Sequence, residues 1–215
     1  MRNAHWWLLL AALLLLVFSQ TFCAEEAIAV AISDIEQQPK ATEADAPFAS
    51  VYLKLDGSWQ GEFLIYRDPS PQALNGRDLE AALRAGVDYS QYELMSAIQV
   101  EQLYHSISPY FQEVQITDYY PETGDTIRSR GVNKIQDGQM WCVVQKPDEL
   151  IIHRGSREGD NGIIWQRNEK EPQRIEYFLE TVGPRYYEIS GYGYYEGDDP
   201  DLSPPLWFYS RYERK

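Results

Sequence analysis

From Pro109 onward the chain is a succession of short β-like runs separated by turn chemistry at intervals of about a dozen residues, and this constrains the fold most. The runs are Phe111–Tyr120, Thr126–Ile135, Gln139–Gln145, Glu149–Arg154, Ile163–Arg167, Arg174–Val182, Arg185–Tyr195 and Leu206–Arg214. Between them stand Pro121 to Asp125, Asp137-Gly138, Lys146-Pro147-Asp148, the Gly/Asp-rich loop 155–162 and the Asp/Pro loop 196–205. Asp-Gly favours a tight hairpin because both residues tolerate positive φ. Ser58 to Tyr66 is a further run, ended by Pro69 and Pro71. About nine strands in a sequential meander twist too far to stay open and flat, so the sheet closes or splits into two layers.

Helical spacing occurs in one stretch, residues 77 to 105, where Leu79, Ala82, Leu83, Leu94 and Ile98 recur at helical intervals. Gly86 and Asp88 divide it, and Ile98, Val100 and Leu103 in the second piece could equally open a strand. Alternation is clear in 174–182, where Ile175, Tyr177, Leu179 and Thr181 oppose Arg174, Glu176, Phe178 and Glu180. In 126–135 it is mixed: Arg128, Arg130 and Lys134 share one side, Ile127, Ser129, Gly131, Asn133 and Ile135 the other. A closed barrel with a partly polar interior accommodates such mixing.

The first 23 residues read as a signal peptide: Arg2, an apolar block from Trp6 to Phe18, then the switch to Ala24-Glu25-Glu26. The block is shorter than the roughly 20 residues a spanning helix needs. The expected address is therefore periplasmic or secreted, with no transmembrane span in the mature chain. Residues 24–47, acidic, Ala-rich and free of aromatics, read as a flexible segment, and 48–215 as one domain. The net charge of −14 disfavours nucleic acid and anionic membrane surfaces. Of the two cysteines, Cys23 falls at the expected cleavage site and Cys142 in an apolar run, which excludes a disulfide framework. Burial of the 6 Trp, 16 Tyr and 7 Phe must supply stability instead.

Gly57-Ser58-Trp59 opening the first strand and Arg211 in the last one resemble the barrel closure of the lipocalin and fatty-acid-binding (calycin) group. That resemblance implies a single antiparallel calycin-like β-barrel of about 8–10 strands, Trp59 lying across the closed end beneath Arg211. It also implies that the helical insertion after the first strand is similar to the lid of fatty-acid-binding proteins. Their Arg-x-Tyr pair stands here in reversed order, Tyr209-Ser210-Arg211, so a carboxylate-gripping role does not transfer. A shorter resemblance links Val100-Glu101-Gln102 and Pro109 to Val114 with bilin chromophore lyases, which are also calycin barrels.

No motif announces an enzyme. His105 and His153 lack metal-ligand spacing, no Gly-x-Ser-x-Gly occurs, and Cys142 has the surroundings of a small hydrophobe. The run Glu196 to Asp201 does not follow the calcium-loop template. Neither a catalytic residue, a metal nor a cofactor is therefore expected. The aromatic residues of the last two strands are the better lead, with Gly191 and Gly193 leaving room beside Tyr192 and Tyr194. The reading is an exported binding protein for a small hydrophobic or amphipathic ligand. Its expected contacts are Arg128, Arg130, Trp165, Tyr192 and Tyr194. The alternatives are an interaction module that binds an envelope protein partner without a cavity, and a chromophore-lyase-like barrel.

Overall fold

The computed structural model describes residues 29–215; the expected signal segment lies outside the described residues. Ten strands follow one another: β1 (Gly57–Arg67), β2 (Glu93–Ser108), β3 (Phe111–Tyr120), β4 (Asp125–Gln136), β5 (Gln139–Gln145), β6 (Leu150–Glu158), β7 (Gly162–Lys170), β8 (Gln173–Val182), β9 (Tyr186–Tyr194) and β10 (Leu206–Arg214). Each pairs antiparallel with its neighbours in sequence, and β1 pairs with β10, closing the barrel. At this seam Trp59 faces Arg214, Gly61 faces Tyr212 and Phe63 faces Ser210. Gly61 is required there: a Cβ would run into the Arg211 carbonyl oxygen. The mainly-β antiparallel barrel of ten strands, with a short helix after its first strand, is the architecture expected; of the two outcomes the turn spacing left open, the sheet closes rather than splits.

The stretch 77–105 resolves in favour of its strand alternative for the second half. Only α1 (Leu79–Ala85) is α-helical, N-capped by Asp78, whose carboxylate accepts from Ala81 N at 3.0 Å. Gly86 ends it at φ +90°. The 16 residues of β2 then alternate, with Ile98, Val100, Gln102 and Tyr104 lining the interior. Pairing on both edges, to β1 and β3, outweighs the fragmentary helical spacing.

The insertion is not a lid over the barrel mouth. Leu83 is buried with Ile164, Tyr177 and Trp207, with Tyr192 packed alongside, on the outer face of β7 to β10. The Tyr89 hydroxyl fastens it further, donating to Phe208 O at 3.0 Å. The outer face of these strands is therefore apolar, because it is covered.

The end where β1 begins is plugged. Two 3-10 turns, Glu43–Phe48 and Leu53–Leu55, carry the chain across it. Val51, Tyr52 and Leu55 join Trp59, Met140, Ile163 and Tyr187 in the main core. The acidic segment read as a flexible spacer is, over its described part, fastened to the barrel. Buried Asp45 accepts from Gly138 N at 2.7 Å in the β4–β5 turn. Buried Lys134, on the outer face of β4, donates to Ala31 O at 2.7 Å and Asp34 O at 2.8 Å. A lysine caught between backbone carbonyls satisfies an ammonium that could not otherwise be buried there. Among the described residues no helix is long and apolar enough to cross a membrane.

Candidate ligand cavity inside the barrel

Strand alternation sends one residue in two inward, and between the plugged end and the opposite rim these side chains leave a cavity of about 370 Å³. Its middle is apolar: Phe63, Ile98, Val100, Ile116, Phe178, Ile189 and Phe208 line it. Phe63 stacks on Phe208 at 5.7 Å, and Phe178 lies 5.4 Å from the same ring, so the aromatic wall is mutually braced. Gly191 and Gly193 do not open space for a ligand. A Cβ at Gly191 would stand 2.7 Å from the Phe178 ring and one at Gly193 3.1 Å from Phe208, so the missing side chains are occupied by these rings.

Polar side chains interrupt the apolar lining, among them Gln102, Asp118, Asn133, Lys146 and two glutamates of β8. Near the rim where β8 begins, Glu176 accepts from the Tyr195 hydroxyl at 2.8 Å and meets His153 Nε2 at 3.1 Å. Arg167 Nη1 lies 3.8 Å away. Burial would raise this carboxyl, but His153, Tyr195 and Arg167 together hold it below the usual carboxylate range. It is an ionised, fully partnered group.

Glu180, four residues further along the same face of β8, has the opposite environment. It is 8% exposed, lines the cavity, and its Oε2 has no hydrogen-bond partner. Burial pushes its carboxyl up to about 7, with the Trp165 indole and Lys54 only partly opposing. Around it stand Tyr104, Tyr187 and Tyr212, all buried. The Cys142 thiol is pushed up to about 12 by burial and then by Glu180, which leaves it without nucleophilic character.

Of the residues expected to contact a ligand, Trp165 alone lines this cavity. Arg128 and Arg130 project outward from β4, both exposed, and Arg130 pairs with Glu36 at 2.5 Å. Tyr192 faces α1 on the outer wall, stacked on Tyr177 at 5.4 Å and 1°. The Tyr194 hydroxyl donates to Leu202 O at 2.8 Å. The cause is parity: odd positions of β4 and β9 face inward, and these residues hold even ones. For β8 the same reversal places Glu176, Phe178 and Glu180 inside and Tyr177 outside, contrary to apolarity alone.

Barrel closure is corrected in the same way. Trp59 is fully buried across the plugged end, but the cation over it is Arg214, at 4.1 Å, not Arg211. Arg214 Nη2 donates to Lys54 O at 3.0 Å, Nε donates to Pro184 O at 3.0 Å, and Nη1 donates to Asp56 O. Arg211 is outside, paired with Glu188 at 2.9 Å and lying over the Tyr186 ring at 3.9 Å. Glu101, from the segment resembling chromophore lyases, is also outside, paired with Lys215 at 2.6 Å. In the 196–201 run, Asp198 accepts from Tyr195 N and Asp199 from Asp201 N, so these carboxylates shape a turn.

A larger concavity, about 630 Å³, lies on the outer wall between β10, β1, β2 and β3. Of its charged members, Arg211 and Glu101 are engaged in the surface pairs just described, Glu62 and Glu213 add only further negative charge on the open wall, and no buried polar atom converges on it. The inner cavity therefore holds the stronger claim.

Gly155 sets the position of Trp165. A Cβ there would run into Trp165 Cζ3 and stand 2.8 Å from Met140 Cβ. Gly155→Ala is expected to tilt the indole into the cavity and to cost about 1–3 kcal/mol by overpacking. A urea unfolding curve and the tryptophan emission maximum measure both effects; unchanged values would show that the ring has free space to move.

Neither a family model nor a curated protein matches the sequence. Solved structures with similarity are a redesigned β-barrel (11% identity, 78% of this chain and 96% of that one, TM-score 0.37) and a de novo designed fluorescence-activating β-barrel (10% identity, 77% and 98%, TM-score 0.36). A third is the redesigned β-barrel mFAP1 bound to DFHBI (9% identity, 78% and 100%, TM-score 0.34).

Proposed function

We propose that this protein is an exported binding protein whose barrel holds one small apolar or amphipathic molecule. The observation that carries the reading is the inner cavity: apolar walls with a few convergent polar groups, at the lower end of the roughly 300–1,000 Å³ typical of ligand sites. Trp165 and the phenylalanines supply contact area, and the polar groups supply orientation. The expected result is that the neutral fluorophore N-phenyl-1-naphthylamine brightens on mixing with the full chain and is displaced stoichiometrically by material extracted from protein purified from its own host. Native mass spectrometry of that protein should show an added mass that vanishes on unfolding. No added mass and no brightening would end the reading.

The second reading, a wall that docks an envelope protein, draws on Leu103 and Ile107, exposed at 43% and 49% on the outer face of β2. It predicts a partner on that strand and an empty cavity.

A further inference from the structure

We propose that Glu180 anchors the polar end of the bound molecule, so that the barrel selects a small amphipathic amine over neutral or anionic molecules of the same shape. This rests on the ligand-binding reading above and adds the chemical class of the ligand.

Six buried side-chain polar atoms among the described residues lack a partner, and Glu180 Oε2 is the one whose residue lines the cavity. Buried acceptors are ordinarily satisfied, so an orphan at the wall of a ligand-sized space marks where a donor belongs. The neighbours do not serve. Tyr104 OH is engaged with Gln102 Oε1 at 3.2 Å and Tyr187 OH at 3.4 Å. Tyr52 OH donates to Lys134 O at 3.2 Å.

The nearby cations are committed as well. Lys54 Nζ donates to Asp160 O at 2.8 Å, and Arg167 is divided among Glu149, Glu169 and Glu176. No basic side chain thus neutralises Glu180, and an ammonium brought by a ligand would be its counter-ion. Hydrogen bonds gain strength when charge-assisted in a site shielded from water.

The rest of the cavity fits the same class. Glu176 and Glu180 share a face of β8 four positions apart, a span of about 13 Å along a strand. Glu176 already has His153 and Arg167, and Asp118 faces Lys146 at the rim, so Glu180 is the free acid of the inner end, and the class is a monoamine with an apolar body. An anion would enter past Asp118 and Glu176, with Lys146 the only lysine in the lining, and would meet an acid at the far end. On binding the one bond that changes is the carboxyl O–H of Glu180: its proton passes to water or buffer, while the ammonium keeps its own protons and pairs with the carboxylate left behind.

The test uses the full chain and three probes with one body: 2-(2-naphthyl)ethylamine, 2-(2-naphthyl)ethanol and 2-naphthylacetic acid, titrated calorimetrically. At pH 7.5 the amine is expected to bind about tenfold tighter than the alcohol or better, and the acid weakest. In Glu180→Gln the amine should lose that advantage while the alcohol stays within about threefold. In the wild type, amine affinity should climb several-fold from pH 5.5 to 8, with a buffer-dependent heat that reports proton release, and the alcohol should stay level. Cys142, Tyr104, Tyr187 and Tyr212 face Glu180 from β5, β2, β9 and β10 and stay neutral over this range. Lys54 and the rim groups His153, Glu176, Asp118 and Lys146 are unchanged in the variant, so the difference in pH slope isolates Glu180.

Equal affinity for amine and alcohol in the wild type, or an amine preference that survives in Glu180→Gln, would overturn the assignment of Glu180 while leaving the ligand-binding reading standing. Failure of all three probes and of the neutral fluorophore would overturn that reading and this one together. Should the variant not fold, a flat wild-type pH profile for the amine would by itself overturn the assignment.

Discussion

Trp59→Ala is expected to destabilise the protein by about 3–5 kcal/mol, the cost of emptying a tryptophan-sized space in a core that cannot collapse around it. The indole is fully buried, its Nε1 donates to Leu55 O at 2.7 Å, and its edge meets the Tyr187 ring at 4.9 Å and 83°. It is thus the contact between the barrel seam and the chain that plugs the barrel end. Arg214→Ala should cost about 1–2 kcal/mol, since it removes a cation over an indole and the donor to three carbonyls. Arg211→Ala should change stability by less than about 0.5 kcal/mol, because its pair with Glu188 is solvent-exposed. Equilibrium urea unfolding of the three variants gives the ranking. Greater loss from Arg211→Ala than from Arg214→Ala would show that the closure is assigned to the wrong arginine.

Glu180→Gln is expected to stabilise the empty protein in a pH-dependent way. An unfolded glutamate releases its proton near pH 4.3, whereas in the fold Glu180 holds it to about 7. Between these values the folded state binds more protons than the unfolded one, so wild-type stability falls as pH rises through that window and then levels off. The full displacement corresponds to about 3–4 kcal/mol. Glutamine cannot ionise, so the variant should gain up to that amount at pH 8 and almost nothing at pH 4.5. Urea midpoints at pH 4.5, 6 and 8 decide it; parallel curves for the two proteins would show that Glu180 is solvated or paired. A residue that weakens the fold when ionised and empty is what a ligand anchor, rather than a structural acid, looks like.

Much of the barrel was legible because strands and turns are local matters. Asp137-Gly138 does turn a hairpin at φ +54° and +71°, and nine of the ten strands lie where alternation and turn residues place them. The tenth, β2, was obscured because Leu94 and Ile98 satisfy a helical interval and a strand interval over so short a run. Trp59 was readable as a closure residue from its place at the start of the first strand. Its cation was not, since Arg211 and Arg214 sit on the same strand and only register separates them.

The candidate site was less legible, and the reason is visible in β8. Ile175, Tyr177 and Leu179 look like the core face, and in most half-buried strands they would be. Here α1 covers that face from outside, which frees the inner face to carry Glu176 and Glu180. Two glutamates bracketing Phe178 on one side of a strand were the signal available for the cavity acids, but an exposed edge writes the same pattern. Likewise Tyr192 and Tyr194 read as pocket aromatics until the insertion claimed them.

The amino-acid order by itself determined nine of the ten strands, the antiparallel meander and the need to close or to split into two layers, because these follow from period-two patterning and from φ preferences within a few residues. Only tertiary structure decided which face is the inside. That choice depends on what lies over the other face, namely α1 from the first connection and the Lys134-anchored segment ahead of β1. Contacts between residues a hundred positions apart leave no trace in local spacing.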